Sequence, residues 1–483
     1  MTLAVIFIPV IAAFALLIVN DKKIQSVIAF LAAILTFVAS LFLSNANPIS
    51  KLWIPGFNSY FELNPLGAAS VLVLVASLVM IPTILYASRQ IEENTGSFLA
   101  LLLFMQAGLN GIFLAKDLVL FYLFWEATLI PSLLMLGIWG RKNRRKAVVK
   151  YLIYAVGGSF FMLISILAIK PLSGAISYRF ADLYAVTPKL PVQTQIWLFL
   201  GFSAAFLVKQ PIWPLHSWLV SFNEENHPSG VADVMGTLYK VGAFGFFAWA
   251  MPLLPDAAKA VSPILMVFAA LSAVYAIVLA TAQTNLKRAL AYASLSHMGI
   301  VGMGIFALNI IGSNGAVFLL AAQMLSTGGL FLITGMLYER RQSFEMDDYG
   351  GIAKSAPMLA AFALLIIFTS IGVPGLANFP GEFMSLMGAF QTSVGSTAVA
   401  ALAVIGAGVF GVNLYQKIFQ AHERHRVADL DRLELIVLIP IIAGIIWLGL
   451  APNLELAKIE LQSRLINPIV QLTEAADGLG DSQ

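Results

Sequence analysis

Runs of about twenty apolar residues, the length a helix needs to cross a hydrocarbon core about 30 Å thick, recur along the whole chain with short polar interruptions. Fourteen such segments run over 2–20, 24–44, 65–87, 97–115, 118–139, 148–169, 194–220, 230–254, 260–282, 287–307, 314–338, 357–392, 395–420 and 434–452. Segments seven and twelve are longer than the others and interrupted by proline, so each is expected to be a broken helix. Segment one lacks the basic leading stretch and small-residue cleavage site of a secretory signal, and another span follows it at once, so it reads as retained.

Basic residues between the segments alternate. If both termini lie outside, the cytoplasmic loops carry seventeen Lys and Arg and the outer loops eight, which is the sense of the positive-inside rule. The alternation works only for an even number of spans. Lys150, Lys209 and Lys240 fall within the segments themselves.

Composition agrees. Of 483 residues, 59% are hydrophobic and only 11% charged, where a soluble domain has about 25% charged. Cysteine is absent, which excludes thiolate metal sites, iron–sulfur ligation and cysteine nucleophiles on this chain. The five histidines are too scattered to suggest a metal centre, and the net charge of +3 without a long basic run gives no footing for nucleic acid.

Ionisable residues inside spans cost a few kcal/mol on insertion scales and face a polar interior when present. Glu126 lies in segment five, Lys209 and His216 in segment seven, Lys240 in segment eight, His297 in segment ten and Glu382 in segment twelve. An ammonium in a low-dielectric interior gives up its proton more readily, and a nearby carboxylate holds it in place, so the order acid, base, base, histidine, acid suits a proton relay. Structural salt bridges holding a bundle together are the alternative. Lys150 sits near a segment end and can snorkel to the surface.

Both long segments place proline beside these groups: Lys209-Gln-Pro211-Ile-Trp-Pro214-Leu-His216, and Gly372-Val-Pro374-Gly-Leu-Ala-Asn378-Phe-Pro380-Gly-Glu382. Irregular backbone at membrane depth survives only where protein or a hydrated cavity encloses it, and interrupted segments at matching places in two halves mark transporters built from inverted repeats. Two apparent motifs carry nothing. Gly406-Ala-Gly408-Val-Phe-Gly411 has no strand before it and suits close helix packing. His422-Glu-Arg-His425 is one residue short of a helical zinc motif and reads as a loop.

The fold expected is therefore an all-α polytopic membrane protein of fourteen transmembrane helices with two inverted five-helix repeats. Residues 1–96 hold spans one to three, 97–254 the first repeat, 255–422 the second, and 423–483 the last span and a short tail.

Six stretches carry a further resemblance: Phe124-Trp-Glu126-Ala-Thr-Leu-Ile-Pro131, Lys209 to Leu219, Glu225-Asn-His227-Pro-Ser229, Leu238-Tyr-Lys240-Val-Gly242, Leu295-Ser-His297-Met-Gly299 and Phe379-Pro-Gly-Glu382-Phe383. In this order they resemble the antiporter-like subunits of respiratory complex I, the proton-pumping NADH:quinone oxidoreductase, over nearly the whole chain. The resemblance implies that Glu126 pairs with a pumping Lys209, that Lys240 connects onward, and that His297 and Glu382 complete the path, with His216 a further candidate. An acid at Glu382, where the L and N types carry lysine, and the absence of a long lateral helix favour the M type. One departure is Gln323-Met-Leu-Ser-Thr327-Gly328, which offers an amide and hydroxyls where relatives often place a second histidine. The resemblance also implies no cofactor on this chain, flavin and iron–sulfur clusters on partner subunits, and L-type and N-type subunits as neighbours. It further implies residence in a bacterial inner membrane, with both termini outside. A sodium/proton antiporter subunit of the same fold and a passive membrane scaffold are the competing readings.

Overall fold

The computed structural model describes residues 1–234, 240–422 and 424–466, so Leu238 and Tyr239 of the Lys240 motif, Glu423 and residues 467–483 of the tail lie outside the described residues. Helices follow the apolar runs throughout. Eleven described helices are by themselves long and apolar enough to cross a membrane. The three remaining segments differ. Segment one is the 15-residue helix Ala4–Ile18, and segment eight is described as Val231–Val234 and then, from Lys240, as a helix to Leu253. Segment twelve is split.

Lipid tails are as apolar as leucine, so burial alone does not drive helices together in a bilayer; close packing through small residues does. Segment eleven (Ile310–Arg341) is innermost, its most apolar stretch wholly buried, whereas only 33% of that of segment two (Lys22–Leu41) is. Segment eleven meets the second half of segment twelve across glycines. A Cβ added at Gly381 would come within 2.8 Å of Leu319, and one at Gly388 within 2.3 Å of the Gly312 nitrogen. Segment ten approaches segment nine in the same way, Gly299 facing Ala269 and Ala273.

Ion pairs sort the loops into two ends. Arg89 with Glu339 and Asp431, Arg288 with Glu224, Arg340 with Glu434 and Lys417 with Asp347 join loops of the more basic set, while Arg179 with Glu62 joins loops of the other. One expectation about these charges is corrected. Lys287, one of the seventeen counted for the cytoplasmic loops, is fully buried, 2.7 Å from the equally buried Asp233, and donates to the carbonyls of Asn226 and His227 at 3.1 Å.

Two features outside the apolar pattern were not anticipated. At the less basic end a hairpin of β1 (Ile49–Ile54) and β2 (Ser59–Leu63) pairs antiparallel, with Ile49 opposite Leu63. The buried Asp117 fastens it: one carboxylate oxygen accepts from Ser59 Oγ and from the first turn of segment five, the other from the Tyr60 nitrogen. After the last span the chain forms a further helix, Asn453–Ile466, which is tied to the bundle where Gln462 Oε1 accepts from the Ala68 nitrogen at 2.8 Å.

Removing one partner of a fully buried pair leaves an uncompensated charge, at a cost of about 3–5 kcal/mol, whereas replacing both is far milder. Lys287→Met is therefore expected to lower the thermal stability of the detergent-purified complex sharply, and addition of Asp233→Leu to restore most of it. Equal stability of the single and double variants would show that the pair is not what holds this end.

Candidate functional site

The two breaks lie where the prolines place them. Segment seven runs Val192–Lys209, opens over 210–216 and resumes as Ser217–Glu225; segment twelve runs Pro357–Ser370, opens over 371–377 and resumes as Asn378–Thr392. Pro211, Pro214 and Pro374 fall in the openings. Pro380 does not: it sits in the first turn of the second half-helix, where a missing N–H leaves no bond unmade. The carbonyls released in segment seven find new donors, Leu207 from the Ile212 nitrogen at 3.2 Å and Val208 from the Trp218 indole at 2.9 Å.

Lys209 closes its half-helix and is buried. Its ammonium donates to the Tyr151 hydroxyl at 2.9 Å and lies 5.3 Å and 5.8 Å from the ring centroids of Tyr151 and Trp125. Glu126, half-buried on segment five, is not within ion-pair distance of it, and one Glu126 oxygen is buried without a hydrogen-bond partner. The expected Glu126–Lys209 contact is thus open in this structure, with Tyr151 in the place of the acid. Sequence reasoning missed Tyr151, which stands in no motif.

Segment eight comes against the break through Gly242, where a Cβ would lie 2.2 Å from the Phe206 carbonyl oxygen and 2.6 Å from the Gln210 nitrogen. This close approach brings the backbone of Lys240, itself buried, beside the break that carries Lys209. Gln210 then reaches segment ten, donating to the Met298 carbonyl at 3.3 Å, next to His297. His216 is buried in the same opening, edge-on to Tyr275 at 5.3 Å, with Nδ1 lacking a partner.

His297 and Glu382 do meet. Nδ1 lies 3.2 Å from Glu382 Oε1, at ion-pair distance though without hydrogen-bond alignment, and Nε2 lies 3.3 Å from the Ser370 hydroxyl at the edge of the segment-twelve break. The carboxylate folds over Gly372, whose φ is +74° and whose hypothetical Cβ would stand 2.3 Å from Oε2. On segment eleven, Ser326 donates to Asn378 Oδ1 at 3.1 Å, Thr327 is buried, and both amide atoms of the buried Gln323 lack partners. At the more basic end, burial and the neighbouring Lys287 push the His227 imidazole down to about 4, so this loop histidine is neutral at physiological pH.

The family model of NADH:quinone oxidoreductase/Mrp antiporter transmembrane proteins matches residues 115–409. The chain belongs to that family. It is 39% identical over 429 residues to NADH-quinone oxidoreductase subunit 13 of Thermus thermophilus, covering 88% of this chain and 90% of that one. It is 32% identical over 447 residues to NADH-quinone oxidoreductase subunit M of Rickettsia conorii, covering 90% of each. A chain in the structure of respiratory complex I from Thermus thermophilus with bound NADH superposes with a TM-score of 0.91 at 37% identity, covering 96% of this chain and all of that one. The protein is an antiporter-like, all-α membrane subunit of NADH-quinone oxidoreductase, and its setting is a multisubunit membrane assembly.

Any side chain at position 372 must displace the Glu382 carboxylate and adopt a left-handed backbone that β-carbons disfavour. Gly372→Ala is expected to lower proton pumping by about tenfold, equivalent to ~1.4 kcal/mol, while Gly375→Ala, at a similar φ of +88° but with open space around it, leaves pumping much closer to normal. Similar losses in both variants, measured in sealed membrane vesicles, would point to backbone strain and not to the carboxylate.

Proposed function

We propose that this subunit moves protons along Glu126, Lys209, Lys240, His297 and Glu382, driven by quinone reduction in other subunits of the complex. The observation that carries the reading is that all five ionisable groups sit within spans, and that one backbone break begins at Lys209 while the other lies beside His297 and Glu382. A proton enters from the end with the more basic loops, taken as cytoplasmic, and reaches Lys209. It passes along a hydrated mid-membrane line through Lys240 and His297, and leaves outward through Glu382. Glu126 acts as the gate. A near carboxylate holds the charge of Lys209; here the pair is open and the ammonium donates instead to the Tyr151 hydroxyl.

On this reading the residues of 97–254 and 255–422 are two inverted units. The π-helical turns near the C-terminal ends of segments eight (Phe246–Ala250) and thirteen (Gln416–Gln420) support it, since the two segments hold corresponding places in the two units. The partners are the L-type and N-type antiporter-like subunits, and the flavin and iron–sulfur clusters belong to other chains; the lack of cysteine here supports this for the clusters. The membrane is the bacterial inner membrane, with both termini outside. Thr327 and Gln323 serve as hydrogen-bonding groups beside the path in place of a titrating histidine.

Substitutions separate a relay from a fixed charge. Glu126→Ala and Lys209→Ala are each expected to cut pumping by about tenfold or more, ~1.4 kcal/mol at least, with assembly retained. Lys240→Arg is expected not to replace lysine, because a guanidinium does not give up its proton in a protein. Proton release by sealed vesicles during quinone reduction is the measurement; full activity with arginine would favour the scaffold reading. At the exit, Glu382→Lys is expected to retain more pumping than Glu382→Gln, and equal, near-normal rates in both would remove Glu382 from the path.

A further inference from the structure

A cavity outside this path lies between segments three, four and eight. Its walls include Val79, Met80, Leu109 and Val234, and two amides of segment four, Gln106 and Asn110, project into it from positions one helical turn apart. Both amides are at least 99% buried. Asn110 Nδ2 donates to the Val5 carbonyl at 2.8 Å, but Gln106 Nε2, Gln106 Oε1 and Asn110 Oδ1 have no protein partner.

The cavity leaves about 10 Å³ open to the centre of a water molecule, enough for one water. Its chemistry selects the occupant. An apolar molecule would leave three amide atoms unpaired, and an ion would find no counter-charge among the lining residues. A water both donates and accepts, and with about three hydrogen bonds it has the usual valence of a buried one. Segment four also packs against segment eight beyond the cavity, where Phe113 meets Phe244 at 5.1 Å. In the chain, Lys240 falls between Val234, which lines the cavity, and Phe244, which packs on segment four beyond it.

We infer that the Gln106–Asn110 cavity is a built water site, and that the two amides are positioning residues which hold a fixed water beside Lys240 without taking the proton themselves. The positioning role rests on the reading of Lys240 as part of the path; the water site does not.

The test uses the intact complex. A density map resolving ordered waters is expected to show one within about 3 Å of both amides, the ordinary hydrogen-bond length, and Gln106→Met, which keeps shape but loses both polar atoms, to abolish it. The same variant is expected to lower protons pumped per NADH oxidised by about threefold or more, and Gln106→Asn to keep most of the activity. A dry cavity in the unaltered complex overturns the site. Normal pumping by Gln106→Met, in a preparation where Lys240→Ala is inactive, overturns the positioning role. Normal pumping by Lys240→Ala would overturn the path itself and the positioning role with it, leaving the density to decide the water site.

Discussion

A charged side chain at the centre of a bilayer costs about 2.5–3.5 kcal/mol on insertion scales, and an unpaired backbone group in hydrocarbon costs several more. This chain places both together at two positions, Lys209 at the end of one half-helix and Glu382 just inside another. Neither tolerates lipid. The arrangement of the other segments follows from enclosing them: segments ten and eleven are almost entirely buried, while segments two, six, thirteen and fourteen turn much of their surface outward. The released carbonyls of segment seven are then claimed by the Ile212 nitrogen and the Trp218 indole, so the break is held open by specific bonds rather than left slack.

Small residues and ionisable residues divide the work of the interior. Gly242 lets segment eight lie against the segment-seven break, Gly372 leaves room for the Glu382 carboxylate, and Gly381 and Gly388 let segment twelve sit on segment eleven. Without the approach at Gly372 the Glu382 carboxylate could not lie where it meets His297. His297 and Glu382 already meet at 3.2 Å. Glu126 and Lys209 do not, and the hydroxyl of Tyr151 supplies a neutral resting partner for the ammonium. Of these two contacts, one is closed and one open in this structure.

Much was legible in the sequence. The apolar runs announced the helices, because a segment of about twenty apolar residues satisfies its own backbone in hydrocarbon only as a helix, whereas barrel strands are about half that length. The prolines announced both breaks, because a residue without an N–H cannot continue the ladder. The in-span charges announced which groups the bundle must enclose, because a bilayer makes each one expensive. Where these signals were absent the reading stopped short: the hairpin of β1 and β2 and the helix Asn453–Ile466 lie in polar stretches that no membrane constrains.

Position in three dimensions was decided only by the fold. Lys287 reads in sequence as one more loop cation beside Arg288, yet it is wholly buried against Asp233, 54 positions earlier, while Arg288 reaches Glu224 at the surface. Tyr151, Ser370 and Gly372 belong to no titrating pattern and enter the site by contact alone. Sequence determines which groups must be hidden from lipid, since that cost is paid residue by residue wherever the segment lies. Which group faces which depends on how helices far apart in the chain pack, and that is set by shape at contacts such as Gly242 on Phe206, which no local pattern encodes.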